Sequence, residues 1–344
     1  MNRGRAPVRF EKVSRRFGSV VALDDFCLDI PAGEFVTLLG PSGSGKTTAL
    51  NILAGFDRAT SGEVFIGERA VGELPPERRN VGMVFQSFAL FPHMSVSENV
   101  AFPLRMRKVA DGEVRGRVAR VLDMVQLAGY GDRRPGALSG GQRQRVALAR
   151  AVVAEPPVLL MDESLSALDL KLREELQEEI RRLHRDLGTT VLFVTHDQGE
   201  ALALSDRIAV MNAGKIFQLD TPDALYDQPA SRFVADFIGR TNIVPVDEGA
   251  HAAAVGLEQA PNGVVALSLR PEKLHRAPGA GDHAFDAIVQ DVTFKGATTE
   301  LRVRVGSGLT LRMSEPNTVA LPRPDRGETI RIGFAPDDAT PLYE

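Results

Sequence analysis

Cysteine is nearly absent from this 344-residue chain. Cys27 stands alone, which excludes an intrachain disulfide and points to a reducing compartment. No apolar run comes near the ~18 residues that a membrane-crossing helix needs, so a role in membrane transport requires another chain to supply the span. The basic N-terminus has no apolar segment behind it and does not read as a secretory signal. A basic surplus is missing as well. Lys and Arg number 41 against 45 Asp and Glu, a net charge of −4, whereas a dedicated nucleic-acid binder usually carries the opposite balance. The local cluster Arg3, Arg5, Arg9, Lys12, Arg15 and Arg16 reads as a solvated edge strand with a short tail. There is no tandem repeat and no low-complexity block.

What remains is ordinary globular material, 43% hydrophobic and 25% charged, long enough for two domains with a core each. The first two thirds alternate short apolar runs with helical periodicity. Val36 to Leu39, Val158 to Met161 and Val191 to Val194 are too short for helices and read as buried strands. Helical sequence runs from Lys46 to Ala54. A second helix carries Leu172, Leu176, Ile180, Leu183 and Leu187 on one face. Its four glutamates, Glu174, Glu175, Glu178 and Glu179, precede Arg181, Arg182 and Arg185, as the helix dipole favours, and Gly188 supplies its stop. Such alternation predicts a mainly parallel α/β sheet. Beyond about Arg240 the texture changes. Residues 245–262, rich in Ala, Gly and Pro, read as a linker or loose loops. After them, Leu301, Val303 and Val305 alternate with Arg302 and Arg304, a Gly306-Ser307-Gly308 turn follows, and Leu309, Leu311 and Met313 alternate with Thr310 and Arg312. Thr329 to Phe334 alternates again, so the C-terminal part is expected to be a small β-barrel.

Three features carry chemistry. Gly40-Pro41-Ser42-Gly43-Ser44-Gly45-Lys46-Thr47 fits G-x-x-x-x-G-K-[ST] and lies between a strand and a helix. Its glycines allow backbone N–H groups to converge on phosphate oxygens at a helix N-terminus, with Lys46 reaching the β/γ-phosphates and Thr47 holding Mg²⁺. Asp162 and Glu163 end the strand Val158–Met161, and in a parallel sheet the carboxyl ends of strands face the ligand. Asp162 then belongs to the Mg²⁺ shell and Glu163 is the general base toward water. Finally, Ser139-Gly140-Gly141-Gln142 opens a helix running from Gln142 to Ala154, closed by Pro156 and Pro157. The Ser139/Gln142 spacing is that of a capping box. Its free backbone N–H groups can take an anion, and the same residues serve a plain helix cap equally well.

Leu138-Ser139-Gly140-Gly141-Gln142 is identical to the signature of ABC ATPases, and the resemblance covers nearly the whole chain. It includes the phosphate loop, Gln86 in a Q-loop, the strand ending at Glu163, Ser166-Ala167-Leu168-Asp169 as a D-loop, and His196 in the switch segment Val194–Asp197. The resemblance implies an α/β P-loop NTPase of the ABC ATPase type over residues 7–240, with a helical subdomain near 87–150. It implies a C-terminal all-β, OB-like TOBE barrel over 241–344. Two subunits pack head to tail around two ATP molecules, so that the phosphate loop of one and the signature of the other grip the same nucleotide. The nucleotide set then comprises Phe17, Gly40 to Lys46, Thr47, Thr48, Ser139, Gly140, Gly141, Gln142 and Asp169. Phe17 stands where the family usually has Tyr against the adenine, although as a lone aromatic it also reads as core. Glu163, His196 and Gln86 form the catalytic group, and Thr47, Gln86 and Asp162 the Mg²⁺ set. Ser164 departs from the family's Pro and loosens the turn after Glu163.

Within that family, Ala89 to Val96 is similar to the segment that importer ATPases set against a permease. Thr241-Asn242-Ile243 and Leu269-Arg270-Pro271-Glu272 resemble the TOBE domain of bacterial solute importers, of which the polyamine group is the nearest. Ferric-iron, aminoethylphosphonate and sugar importers share the architecture. The implied partners are a second ATPase subunit, two permease subunits and an extracytoplasmic binding protein, with the chain at the cytoplasmic face of the inner membrane and no nucleic acid. A DNA-repair or translation ATPase is the rival class. The stretch from Lys46 to Ser139 is too short for a coiled-coil insertion, there is one cassette, and the C-terminal part has few aromatics for stacking on bases. Intact Glu163 and His196 count against a cassette that binds ATP without turning it over.

Overall fold

Every side chain of β3 (Phe35–Leu39) is buried, and so is every side chain of β8 (Thr190–Thr195). Uninterrupted apolar runs of this kind need cover on both faces of a sheet. In the computed structural model, which describes residues 5–163, 170–246, 254–255, 263–306, 308–318 and 322–343, both faces have it. The two strands sit centrally in a six-stranded sheet of order β10-β9-β3-β8-β7-β6, the others being β6 (Val81–Val84), β7 (Val158–Asp162), β9 (Arg207–Asn212) and β10 (Lys215–Asp220). All neighbours are parallel except β10 against β9.

Side chains alternate across a strand, and two cores result. Leu159, Met161, Val191 and Phe193 join one cluster, together with Val100, Val118 and Val146. Those last three come from α2 (Val96–Met106), α3 (Asp111–Met124) and α4 (Gly140–Val152), the helices between β6 and β7. Val158, Leu160, Leu192 and Val194 join the other, with Leu50 and Leu53 of α1 (Lys46–Ala54). That second core is closed by an antiparallel sheet, order β2-β1-β4-β5, from β1 (Val8–Phe17), β2 (Val20–Ile30), β4 (Ser61–Ile66) and β5 (Arg69–Ala70). Next to β8 in the chain are α5 (Leu170–Leu187), with Leu176, Ile180 and Leu183 buried, and α6 (Gln198–Leu204). Gly188 ends α5 at φ +59°. The predicted strands and the helix Lys46–Ala54 are all present. The helix expected from Gln142 starts two residues earlier, because Ser139 is its N-cap and both signature glycines lie in its first turn.

The chain divides into units 1–222 and 223–344. The second begins with the short helices α7 (Pro222–Asp227) and α8 (Arg232–Phe237). Its strands form two antiparallel sheets. One has the order β11-β12-β18, from β11 (Asn242–Pro245), β12 (Ala266–Leu269) and β18 (Ala339–Leu342). The other has the order β13-β17-β14-β15-β16, from β13 (His275–Arg276), β14 (His283–Phe294), β15 (Thr298–Val305), β16 (Leu309–Pro316) and β17 (Thr329–Phe334). Leu301 pairs with Met313 and Val303 with Leu311, and all four are buried in one core with Ile332 and Phe334. The arginines between them face outward, as the alternation predicted. Of the expected linker, residues 247–253 and 256–262 lie outside the described residues, as do Ser164 and the D-loop with Asp169.

Candidate functional site

The turn between β3 and α1 curls tightly because two of its glycines have no room for a side chain. A Cβ on Gly40 would lie 2.3 Å from the Met211 carbonyl oxygen, and one on Gly45 would lie 2.3 Å from that of Ala22. Gly45 also holds φ +101° as the N-cap of α1 and offers no side-chain cap, which leaves the first N–H groups of the helix available to a ligand. Lys46 folds back over this cradle. Its Nζ donates to the carbonyls of Gly40 (2.8 Å) and Pro41 (2.9 Å) and more distantly to Ser44 Oγ (3.4 Å). Burial pulls the ammonium below the usual lysine value, and the nearby charges of Glu163 and Asp162 oppose that shift. Thr47 is exposed and Thr48 half-buried at the same helix end, while Ser42 and Gly43 are exposed at the tip of the turn.

The two acids arrive from β7. Asp162 is half-buried, and burial followed by repulsion from Glu163 pushes its carboxyl above the usual range, against the pull of Lys46. Glu163 leaves the strand at φ +39°, with its N–H donated to the Val194 carbonyl (2.9 Å). This left-handed kink turns its carboxylate toward the ends of the neighbouring strands. Gln86, just beyond β6, donates from Nε2 to Glu163 Oε2 (3.2 Å). His196, just beyond β8, has Nδ1 3.1 Å from Glu163 Oε1. The three residues expected to act together are therefore held by the ends of three adjacent parallel strands.

Thr195, Asp197, Arg173 and Glu200 support His196, and the sequence reading missed this group. Thr195 Oγ1 donates to Glu200 Oε2 (2.6 Å) and accepts from the Asp197 N–H (3.0 Å). The Asp197 carboxylate caps α6 through the Glu200 N–H and pairs with Arg173. The signal was there, since Asp197 followed three residues later by Glu200 has the spacing of a helix start.

Ser139 and Gln142 complete the capping box in both directions, with Gln142 N–H donated to Ser139 Oγ (3.2 Å) and Ser139 N–H to Gln142 Oε1 (3.0 Å). Gly140 and Gly141 keep their N–H groups outside this box. Ser139 is exposed. Phe17 is 48% exposed at the end of β1 rather than in the core, with the Arg15 guanidinium 4.2 Å above its ring. No helix among the described residues is long and apolar enough to cross a membrane.

Comparison with known proteins accords with this geometry. The ABC transporter family matches residues 23–166, and the TOBE domain matches residues 267–342. The chain is 48% identical to the spermidine/putrescine import ATP-binding protein PotA of Rubrobacter xylanophilus, over 95% of this chain and 91% of that one. The chain belongs to the ABC transporter ATP-binding proteins. This ABC ATPase is also 46% identical to PotA 2 of Pseudomonas aeruginosa, over 96% of both chains. Among solved structures it resembles the dimeric ATP-binding cassette MJ0796 in a post-hydrolysis state bound to ADP and Pi. There the TM-score is 0.56 at 35% identity, covering 62% of this chain and 98% of that one. The second unit accordingly contains a TOBE domain.

Proposed function

We propose that this ABC ATPase energises import of a polyamine of the spermidine/putrescine class through two permease subunits in the membrane. The solute follows from the curated relatives, named as spermidine/putrescine import proteins and matched along nearly their whole length. The observation that carries the chemistry is the convergence of Gln86 and His196 on the two oxygens of Glu163 beside the phosphate loop.

The β- and γ-phosphates of ATP lie in the cradle of Gly40 to Lys46, and Lys46 exchanges its loop carbonyls for phosphate oxygens. Phe17 stacks on the adenine, and Thr48 continues the cradle along α1. Thr47, Asp162 and Gln86 offer hydroxyl, carboxylate and amide oxygens, a hard donor set that suits Mg²⁺. Bound there, Mg²⁺ neutralises charge on the phosphates. Glu163 takes the proton of the attacking water, while His196 and Gln86 fix the direction of its carboxylate. The signature residues Ser139 to Gln142 close over the γ-phosphate bound by a second subunit, a reading supported by the dimeric state of the solved cassette. Asp169 belongs to the same interface. Domain limits of 7–240 and 241–344, an extracytoplasmic binding protein as the solute donor, and the cytoplasmic face of the membrane complete the proposal.

The test is uptake of labelled putrescine, spermidine and control solutes in cells carrying wild-type protein or Glu163→Gln. Polyamine uptake lost in the variant alone is the expected result. Loss confined to another solute would overturn the polyamine assignment and keep the importer.

A further inference from the structure

The segment that follows Gln86 is held by a buried positive charge. Arg150, near the end of α4, is 9% exposed. Its Nη2 donates to the Phe88 carbonyl and its Nη1 to the Ala89 carbonyl, both at 2.8 Å. The guanidinium carbon lies 5.6 Å from the centre of the Phe91 ring. Burial lowers the Arg150 pKa, and among the described residues no acidic group offsets that shift. A buried charge is costly unless its donors are satisfied, and this arginine satisfies its own on the two carbonyls and the ring.

The residues it grips are themselves unusual. Phe88 has φ +61° and Ala89 φ +45°, a left-handed pair that side chains with a Cβ avoid. Such a backbone persists only where its surroundings impose it. Farther along, Asn99 of α2 takes the Phe91 N–H and donates to the carbonyls of Phe91, Met94 and Ser95. The Phe88 N–H bonds back to the Phe85 carbonyl (2.9 Å), closing a turn around Gln86. Fixing Phe88 and Ala89 thus fixes the position from which Gln86 reaches Glu163.

We propose that Arg150 is a positioning residue for hydrolysis: it locks Phe88 and Ala89 in their left-handed conformation and so holds Gln86 against Glu163. Arg150 rides on the helix that opens with the signature cap at Ser139, eleven residues and about 16 Å along its axis. Two hydrogen bonds thus join the signature helix to the segment that follows Gln86. The inference rests on the ATPase reading of the site.

The experiment compares kcat, KM, ATP affinity and melting temperature of the full chain for wild type, Arg150→Lys, Arg150→Met, Gln86→Ala and Gln86→Ala/Arg150→Met, with Glu163→Gln in parallel. Arg150→Met is expected to lower kcat at least 10-fold with ATP affinity unchanged within about 3-fold. Arg150→Lys, which can reach the carbonyls but has no fork, recovers part of kcat. Arg150→Met adds less than about 2-fold to the loss caused by Gln86→Ala. If the two losses multiply, or if ATP affinity and melting fall together with kcat, Arg150 does not act through Gln86 and the proposal is overturned. Should Arg150→Met fail to fold, the Lys variant decides: kcat lowered at unchanged affinity upholds the proposal, and wild-type kcat overturns it. Absence of ATP turnover in the wild type would instead overturn the ATPase reading itself, and wild-type turnover in Glu163→Gln would overturn only the assignment of Glu163 as the base.

Discussion

His196 Nδ1 lies 3.1 Å from Glu163 Oε1, although 33 residues separate them in the chain. They meet because β7 and β8 are parallel neighbours that end level with one another, Asp162 pairing with Val194. The second oxygen of the same carboxylate is held by Gln86 from the next strand over. A carboxylate gripped on both oxygens has a fixed direction, and direction is what the proposed general base would contribute beyond its basicity.

Glu163→Gln keeps the shape of this arrangement and removes the proposed proton acceptor. Turnover is expected to drop by about 10²–10⁴-fold while ATP still binds. The variant should therefore run as an ATP-dependent dimer in size-exclusion chromatography. Wild-type turnover would show that another group takes the proton.

Lys46→Ala removes the Lys46 ammonium from the phosphate loop and leaves the loop carbonyls to water. Charge-assisted hydrogen bonds contribute about 1.5–3 kcal/mol each. The ATP dissociation constant, measured by calorimetry, should rise on the order of 10- to 100-fold. An unchanged constant would remove Lys46 from phosphate binding.

Gly45→Ala and Gly43→Ala separate steric conflict from backbone strain. Both glycines have positive φ, but a Cβ on Gly45 meets the Ala22 carbonyl and Leu23, whereas one on Gly43 meets nothing within 4 Å. Strain alone costs about 1–3 kcal/mol, so Gly43→Ala should lower the melting temperature modestly and Gly45→Ala considerably more. Equal effects in thermal melts would place the constraint in the backbone alone.

Glu200→Gln tests the buried acid beneath the switch histidine. Burial is the largest influence on Glu200 and raises its pKa; the Thr195 hydrogen bond, Arg173 and His196 oppose that shift, and Asp197 adds to it. An acid raised in the folded state gives its full stabilisation below the unfolded pKa of ~4.3 and loses it as pH climbs through the folded value. The uncharged glutamine has no such slope. Relative to wild type, Glu200→Gln should thus melt higher at about pH 8 than at about pH 4.5. The same difference at both values would mean that Glu200 is ionised in the fold throughout this range.

Arg270→Met tests the second unit. Arg270 is 4% exposed, and its guanidinium donates to the carbonyls of Tyr226, Ala235, Ile238 and Arg240. Tyr226 stacks beneath it at 4.1 Å and donates its hydroxyl to Glu272. Burial, with that hydrogen bond, pushes the Tyr226 hydroxyl up to about 12. Removing the donor leaves the carbonyls unpaired, at a cost of about 1–3 kcal/mol for each one that stays buried. A lowered melting temperature is expected, and wild-type melting would show that water replaces the arginine freely.

Sequence alone determined whatever is written in local periodicity and spacing. The phosphate loop, the buried strands Val36–Leu39 and Val191–Val194, the Ser139 cap and the outward arginines of β15 and β16 all follow from contacts within a few residues, where the chain geometry is known in advance. Tertiary structure decided what depends on long-range pairing. Strand order brings Gln86, Glu163 and His196 to one carboxylate, and no spacing along the chain encodes that order. Phe17 is on the surface because of where β1 ends against β2, while an isolated aromatic reads equally as core. Nothing in the sequence marks Arg150, and the motif that contains Arg270 does not say what its guanidinium touches. Their meaning lies in backbone carbonyls of distant segments, groups that every residue carries and that only the fold brings within reach.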